Sequence, residues 1–400
     1  MNWFFKKAIK EDIIKIETSF PLEMPNTFHN IEMNSLFDAI PTLASYTPSV
    51  IRRDGYPDNI GVTRDNFSRR KFGYLEYYKD TIAFKNKDKI KYLDPNCNIK
   101  ANLAYTTFLS QAYVLCPFFT KMKIPFVFTL YPGGGFGLNN EGSDNILRDI
   151  FSNKYFRKVI VNYDITRDYL IKKDLCPEER IELVFGVPLQ FKTNEIDLNR
   201  KKYFQKDKDT FDICFVAFKY DDIGKSKGYD LFIEAAKKLF NSSMKKKSCI
   251  RFHVIGNFDA NVIDVTEIKD KITFYGVKTP DWLNGFYYNM DIVVAPVRPN
   301  LLYPGSFDGY LMCGEQSLCG VAMFQSDELN INRDYHYYKR DEIVHIELDA
   351  NDISSKIEFY FNNLEKLYNL ADKGRKKTQL ICDLERRTNK IKEILLMNRD

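Results

Sequence analysis

Five strand-length runs between residues 209 and 350 are largely apolar, and amphipathic or short helical segments separate them. The runs are "FDICFVAF" (211–218), "CIRFHVIG" (249–256), "KITFYGV" (271–277), "DIVVAPV" (291–297) and "VAMFQS" (321–326). A strand that is apolar throughout has both of its faces covered, which is the condition of a parallel sheet with helices on each side. The segment from 209 is therefore expected to form a doubly wound, Rossmann-like domain. Its ligands should bind beyond the C-terminal ends of the strands.

The intervening helices support this. In "GYDLFIEAAKKLF" the residues Leu231, Phe232, Ala235, Ala236, Leu239 and Phe240 share one face. "PDWLNGFYYNM" (280–290) opens with Pro280 and Asp281, and "MCGEQSLCG" (312–320) closes on Gly320.

The first half carries a weaker version of the same pattern. "KIPFVFTLY" (123–131), "KVIVNYD" (158–164) and "RIELVFGV" (180–187) read as strands, with "ITRDYLIKK" as a helix, which is a second α/β sheet. The first hundred residues resist assignment. "SFPLEMPNTFHNIEMN" and "RRDGYPDNIGVTRDNFSRRKF" read as extended loops. Phe5, Ile9, Ile13 and Ile16 have the spacing of a helical stripe beside Lys6, Lys7 and Lys10, expected to pack inward or to lie on a membrane surface.

The polar stretch 190–210 reads as a linker. Residues 351–400 are helical in pattern, and "KGRKKTQLICDLERRTNKIKEILL" is a basic amphipathic helix. The expected organisation is 1–190, an N-terminal Rossmann-like domain; 191–208, a linker; 209–370, a C-terminal Rossmann-like domain; and 371–400, a terminal helix packing back on the first domain.

A net charge of +5 over 400 residues is too small for a nucleic-acid footprint, so no nucleic-acid partner is expected. No run approaches the length of a membrane span, and the N-terminus lacks the features of a signal peptide. Eight scattered cysteines without a CxxC pair argue for buried, reduced thiols in a cytoplasmic protein. Of the four histidines, His253 and His345 fall in strand patterns and read as core. No HExxH metal motif is present.

Three stretches could carry chemistry. The first is "DIGKSKGYDLF", where Lys225, Lys227 and Gly228 precede a helix and Lys219 lies just past a strand. A helix N-terminus with nearby cations favours an anion, although solvated surface lysines would give the same pattern. The second is "YPGSFDGYLMCGEQSLCG" (303–320), with a turn at Asp308 and Gly309. Glu315 could accept hydrogen bonds from vicinal hydroxyls, or could merely favour the dipole of its helix. The third is "TLYPGGGFGLN", where Gly133, Gly134, Gly135 and Phe136 follow a buried strand. Successive glycines allow positive φ and close backbone approach.

Together these stretches resemble the retaining GT-B glycosyltransferases of the group-1, family-4-like type, over roughly 120–330. That resemblance implies two Rossmann-like domains facing across a cleft, with a C-terminal crossing helix. It implies a nucleotide diphosphate sugar as donor, a glycan or lipid-linked acceptor in cell-surface polysaccharide synthesis, no cofactor and no metal. "KGYDLFIEAAKKL" matches the family's Lys-Gly-helix segment, making Lys227 the phosphate lysine, with Lys219 where an arginine is usual. "EQSLCGVAMF" matches the second half of the family's Glu-x7-Glu segment, making Glu315 the ribose-binding glutamate. The first glutamate is absent: Phe307 occupies its position, and Asp308 with Gly309 is the nearest replacement. Lys227, Lys219, Glu315 and Asp308 are thus the expected catalytic set. Gly228, Lys225, Val277, Phe307, Gly309 and Tyr310 are the expected donor-binding residues, and Gly133 to Phe136 a cleft loop.

Two other readings remain open. One is a nucleotide-sugar 2-epimerase on the same fold. The other is an inactive homologue that binds a sugar nucleotide or supports a partner enzyme, for which the missing glutamate and replaced arginine argue. Peripheral association with the inner membrane face is a further expectation from the basic surface.

Overall fold

The computed structural model describes residues 9–16, 28–48, 84–93, 98–189, 191, 195–243, 247–307 and 313–399. It divides into two units, one of Met1–Pro188 with Leu384–Asp400 and the other of Leu189–Asp383.

The first unit is a seven-stranded parallel sheet. Its strands are β1 (Ile9–Ile16), β2 (Leu43–Pro48), β3 (Ile90–Leu93), β4 (Ile99–Thr107), β5 (Phe126–Leu130), β6 (Phe156–Val161) and β7 (Ile181–Leu183), in the order β3-β2-β1-β4-β5-β6-β7. Helices α1 (Phe28–Ala39), α2 (Leu109–Met122), α3 (Glu141–Phe151) and α4 (Asp164–Lys172) connect them. Asn140 starts α3 by accepting the Ser143 amide on its side chain at 3.0 Å.

Two expectations for the first hundred residues are corrected. Ile9–Ile16 is a strand, not a helical stripe, and it pairs with β2 and β4. Neighbours on both sides bury Ile13, Ile14 and Ile16 alike, which a helix would not do. Residues 28–34 of the supposed loop belong to α1, whose Met33, Leu36 and Phe37 pack on the sheet. The other supposed loop, 52–72, lies outside the described residues, as do Phe5, Lys6 and Lys7.

The second unit is a six-stranded parallel sheet in the order β10-β9-β8-β11-β12-β13. The strands are β8 (Phe211–Val216), β9 (Ile250–Ile255), β10 (Ile272–Phe274), β11 (Ile292–Ala295), β12 (Ala322–Ser326) and β13 (Val344–Ile346). The helices are α5 (Tyr229–Asn241), α6 (Pro280–Tyr287), α7 (Gly314–Leu318), α8 (Ile331–Tyr335), α9 (Ala350–Phe361) and α10 (Leu364–Ile381). Leu231, Phe232, Ala235, Ala236 and Leu239 of α5 are buried against β8 and β9, as their spacing requires, while Phe240 is partly buried.

The polar stretch read as a linker is packed into this unit. Phe204 and Lys201 are buried. Lys208 pairs with Asp212 and Asp291, both at 2.6 Å, at the N-terminal edge of the sheet. Asp212 also meets His253 Nε2 at 2.8 Å, and Tyr275 takes the other ring nitrogen at 3.0 Å, so His253 is a core residue with partners. His345, on β13, is half-buried and bonded to Asn332.

The basic terminal segment is two helices. α10 belongs to the second unit. α11 (Leu384–Met397) belongs to the first, where Ile391, Ile394 and Leu395 join the core beneath α1. Arg387 of α11 is buried and donates to the carbonyls of Val184 and Gly186 at 2.9 and 2.8 Å. It also donates to Glu32 of α1 at 3.2 Å and to the Tyr131 hydroxyl at 2.8 Å.

Candidate functional site

The C-terminal edge of the second sheet gathers the loops that follow β8 and β11. After β8 the chain turns through Asp221, whose carboxylate accepts the amides of Lys225 at 2.7 Å and Ser226 at 2.9 Å, and the Ser226 hydroxyl at 2.6 Å. Burial pushes the Asp221 carboxyl up. The donated bonds from Ser226, Lys225 and Ile223 outweigh it and hold the group below its ordinary value. A single 3-10 turn, Lys225–Lys227, follows, and Gly228 starts α5 at φ 78°.

Gly228 is required by packing. A Cβ there would lie 2.1 Å from the Pro296 carbonyl oxygen, just past β11. This contact brings the α5 N-terminus against the β11 exit. Arg298 fastens it further, donating twice to Asp230 at 2.6 and 2.9 Å and once to the Lys225 carbonyl at 2.8 Å.

Lys227 is only 2% exposed, so it is not a solvated surface charge. Its ammonium stands 5.2 Å from the centre of the exposed Tyr220 ring. The side chain lines a small cavity with Val216, Ala217, Ala295, Val297, Cys313 and Gln316. Parallel strand ends, a helix start and a buried lysine therefore share one place, an arrangement suited to holding an anionic group.

The other expected residues are distributed around it. Lys219, half-buried on the same loop, anchors its backbone amide on Asn257 at 2.6 Å, and its Nζ lies 3.5 Å from the Asp222 carbonyl. The Lys225 side chain is exposed, so this lysine contributes its amide and carbonyl to the turn. Glu315 is half-buried in the first turn of α7, one residue before Gln316 of the cavity. Its charge, after burial itself, helps raise the Tyr287 hydroxyl above its usual range. Val277 follows β10 and is 63% exposed, whereas Phe307 is buried. Asp308, Gly309 and Tyr310 lie outside the described residues.

The glycine stretch belongs to the first unit. Gly133, Gly134 and Gly135 all have positive φ, and Phe136 bridges back to Gly133. A Cβ on Gly134 would lie 2.3 Å from the Phe108 ring, so close packing at the start of α2 demands that glycine. Phe136 is buried, with its ring 6.1 Å from that of Tyr169.

Asp221, Asp230, Arg298 and Gln316 did not emerge from the sequence. Each acts through a partner several residues away or on another element, and a single chain of letters carries no mark of such a pairing. Among the described residues no group of three or more His, Cys, Asp and Glu is placed to hold a metal ion. None of their helices is long and apolar enough to cross a membrane. Seven cysteines are free thiols, five of them buried; Cys97 lies outside the described residues.

No protein-family model and no curated protein matches this chain. Solved structures do. A sucrose-phosphate synthase from Thermosynechococcus elongatus is 14% identical with a TM-score of 0.63, covering 97% of this chain and 98% of its own. The Anabaena protein HepE, in complex with UDP and glucose, is 12% identical with a TM-score of 0.64, covering 97% of this chain and 100% of its own. A glycosyltransferase from Rickettsia africae is 12% identical with a TM-score of 0.63, over 97% and 98%. The fold is thus the one these glycosyltransferases share: two parallel α/β sheets and a C-terminal helix, the GT-B architecture.

Proposed function

We propose that this chain is a glycosyltransferase that takes a sugar from a nucleotide diphosphate donor and transfers it, with retention at the anomeric carbon, to a glycan or lipid-linked acceptor. The observation that carries the reading is Lys227. A buried lysine, at the start of a helix and at the C-terminal edge of a parallel sheet, lines a cavity on the fold of solved glycosyltransferases. HepE has been solved with UDP and with UDP-glucose, which supports a nucleotide sugar as donor.

Breaking the sugar–phosphate bond leaves growing negative charge on the diphosphate. Lys227 and the positive end of the α5 dipole meet that charge beside a buried side chain, where a fixed cation acts strongly. Lys219 adds a second cation from the same loop. Glu315 accepts from the ribose hydroxyls. With these cations and the helix dipole opposite the leaving group, the reaction proceeds without a metal. In retaining chemistry on this fold the acceptor hydroxyl attacks from the face the diphosphate leaves. Its proton passes to a donor phosphate oxygen, and the sugar passes through an oxocarbenium-like transition state.

The test is nucleotide diphosphate release from a panel of UDP-, GDP-, ADP- and dTDP-sugars in the presence of a chelator, with wild type, Lys227→Ala and Glu315→Ala. Release from one donor, reduced at least tenfold in both variants, is the expected result. Tight donor binding without turnover, even with glycan acceptors, would overturn catalysis and leave a binding protein.

A further inference from the structure

The cavity beside Lys227 has one polar side chain that the proposed donor contacts leave unused. Gln316 of α7 is 95% buried by the complement of its 5% exposure. Its Nε2 donates to the Tyr287 hydroxyl at 3.1 Å, which fixes the amide plane. Its Oε1 is buried and has no hydrogen-bond partner among the described residues. Leaving a buried acceptor unmet is costly, so the group calls for a partner that satisfies it. The rest of the cavity wall, from Val216, Ala217, Ala295 and Val297, is apolar in its side chains.

We propose that Gln316 is a recognition residue for the donor. Its Oε1 accepts a hydrogen bond from a hydroxyl of the bound sugar nucleotide, beside the phosphate that Lys227 holds. This rests on the functional reading above and deepens it. Three features fit. The amide and Lys227 line the same small cavity, where a single hydroxyl-sized group has room. It presents an acceptor where the lysine presents donors, which suits the junction of a phosphate and a hydroxyl-bearing ring. Tyr287 is itself fully buried on α6, so the amide is held at a fixed angle before any ligand arrives, and little ordering entropy opposes the bond. A site built to hydrogen-bond a hydroxyl discriminates strongly against a ligand lacking it, because the buried group is then left unmet.

Binding of UDP, 2′-deoxy-UDP and UDP-glucose to the full chain by calorimetry separates the outcomes, with Lys227→Ala and Gln316→Met beside wild type. Met keeps the length and apolar volume of Gln but removes the bond to Tyr287 together with the acceptor, so Tyr287→Phe, which breaks that bond and leaves the acceptor, is measured beside it. Thermal unfolding without ligand is the control for folding. The expected result is a tenfold or greater loss with Gln316→Met and a smaller one with Tyr287→Phe, with both variants still unfolding in one cooperative transition without ligand. A loss seen for UDP and absent for 2′-deoxy-UDP assigns the hydroxyl to the ribose. A loss confined to UDP-glucose assigns it to the transferred sugar. Gln316→Met within twofold of wild type for all three ligands, while Lys227→Ala has lost them, overturns the role of Gln316 and leaves the donor site standing. Equal loss for all three ligands assigns the bond to the 3′-hydroxyl they share, unless 2′,3′-dideoxy-UDP loses as much; that result overturns the role, since the amide would then act on the site's shape. No binding of the three ligands, or of the matching GDP, ADP and dTDP compounds, to wild type overturns both readings.

Discussion

Arg298 and Asp230 face each other in two parallel hydrogen bonds, and the guanidinium reaches the Lys225 carbonyl as well. Asp230 sits in the first turn of α5, the end of the helix where a diphosphate would bind. A bare carboxylate there would repel the ligand. Arg298 cancels that charge with a bidentate pair, the strongest geometry for it.

Arg298→Ala should therefore weaken donor binding by about tenfold, roughly 1.4 kcal/mol, by exposing Asp230 to the diphosphate. Asp230→Asn alone should cost little, and the double variant should recover most of the loss. Calorimetric titration of the four proteins in a double-mutant cycle measures this. A double variant as weak as Arg298→Ala would show that the arginine shapes the loop rather than neutralising the aspartate.

The close approach of Gly228 to Pro296 gives a second prediction. Gly228→Ala meets both an unfavourable positive φ and a contact with backbone, which cannot swing away as a flexible side chain can. The conformational part alone costs about 1–2 kcal/mol, and the clash adds to it. The urea midpoint should fall, and donor binding should fall more than stability, because relief requires the α5 start to leave the β11 exit. Unchanged donor affinity at reduced stability would mean that this start does not touch ligand.

Much of the second sheet was legible because β8, β9, β11 and β12 are covered on both faces and so are written as largely apolar runs. The first sheet was not, for particular reasons. β1 carries Lys15, which is buried with its ammonium 5.4 Å from the centre of the Tyr105 ring, and a lysine in a strand argues against burial. Its isoleucines also happen to fall three and four apart. Residues 190–210 look like a linker because Lys208 and Lys201 are charged. Their partners are Asp212 and Asp291 for the first and the Met290 carbonyl for the second, all distant in the sequence except Asp212. Of the site, Lys227 and Gly228 were legible from local pattern, whereas Arg298 and Gln316 matter only through what they meet in space.

Lys201 gives a prediction in pH. It is fully buried, and burial pushes its ammonium down to about 8 against the attraction of Asp291. Below pH 8 both folded and unfolded chains carry the proton, and the folded state bears the full cost of the buried cation. Between pH 8 and the ordinary lysine value of about 10.4 the folded protein releases the proton while the unfolded chain still holds it. Stability therefore gains with rising pH through this group. Buried cysteines and tyrosines act in the opposite sense, so the contribution is read as a difference. The stability of wild type minus that of Lys201→Met should rise by about 2–3 kcal/mol from pH 7 to pH 10. Urea unfolding at several pH values gives the difference, and a flat one would show that Lys201 keeps its proton in the folded state.

Arg387 is the last case, and it concerns the first unit alone. Its guanidinium serves the carbonyls of Val184, Phe185 and Gly186, the Glu32 carboxylate and the Tyr131 hydroxyl. Glu32 also accepts from Tyr105 at 3.0 Å and Tyr131 at 2.7 Å. Removing the arginine would take the hydrogen-bonded cation from a buried carboxylate, leaving the donors Tyr105 and Tyr131 and the nearby charge of Lys15, and breaking a buried pair by one partner costs about 3–5 kcal/mol. Arg387→Met should lower stability by that order. Arg387→Lys should recover only part, since one ammonium cannot reach carbonyls and carboxylate together. Arg387→Met combined with Glu32→Gln should be more stable than Arg387→Met alone, because the stranded charge is gone. Chemical denaturation of these three variants beside wild type decides it. If the double variant is no better than the single, the loss comes from the carbonyls of 184–186, and the arginine's main task is to fasten α11 to the end of β7.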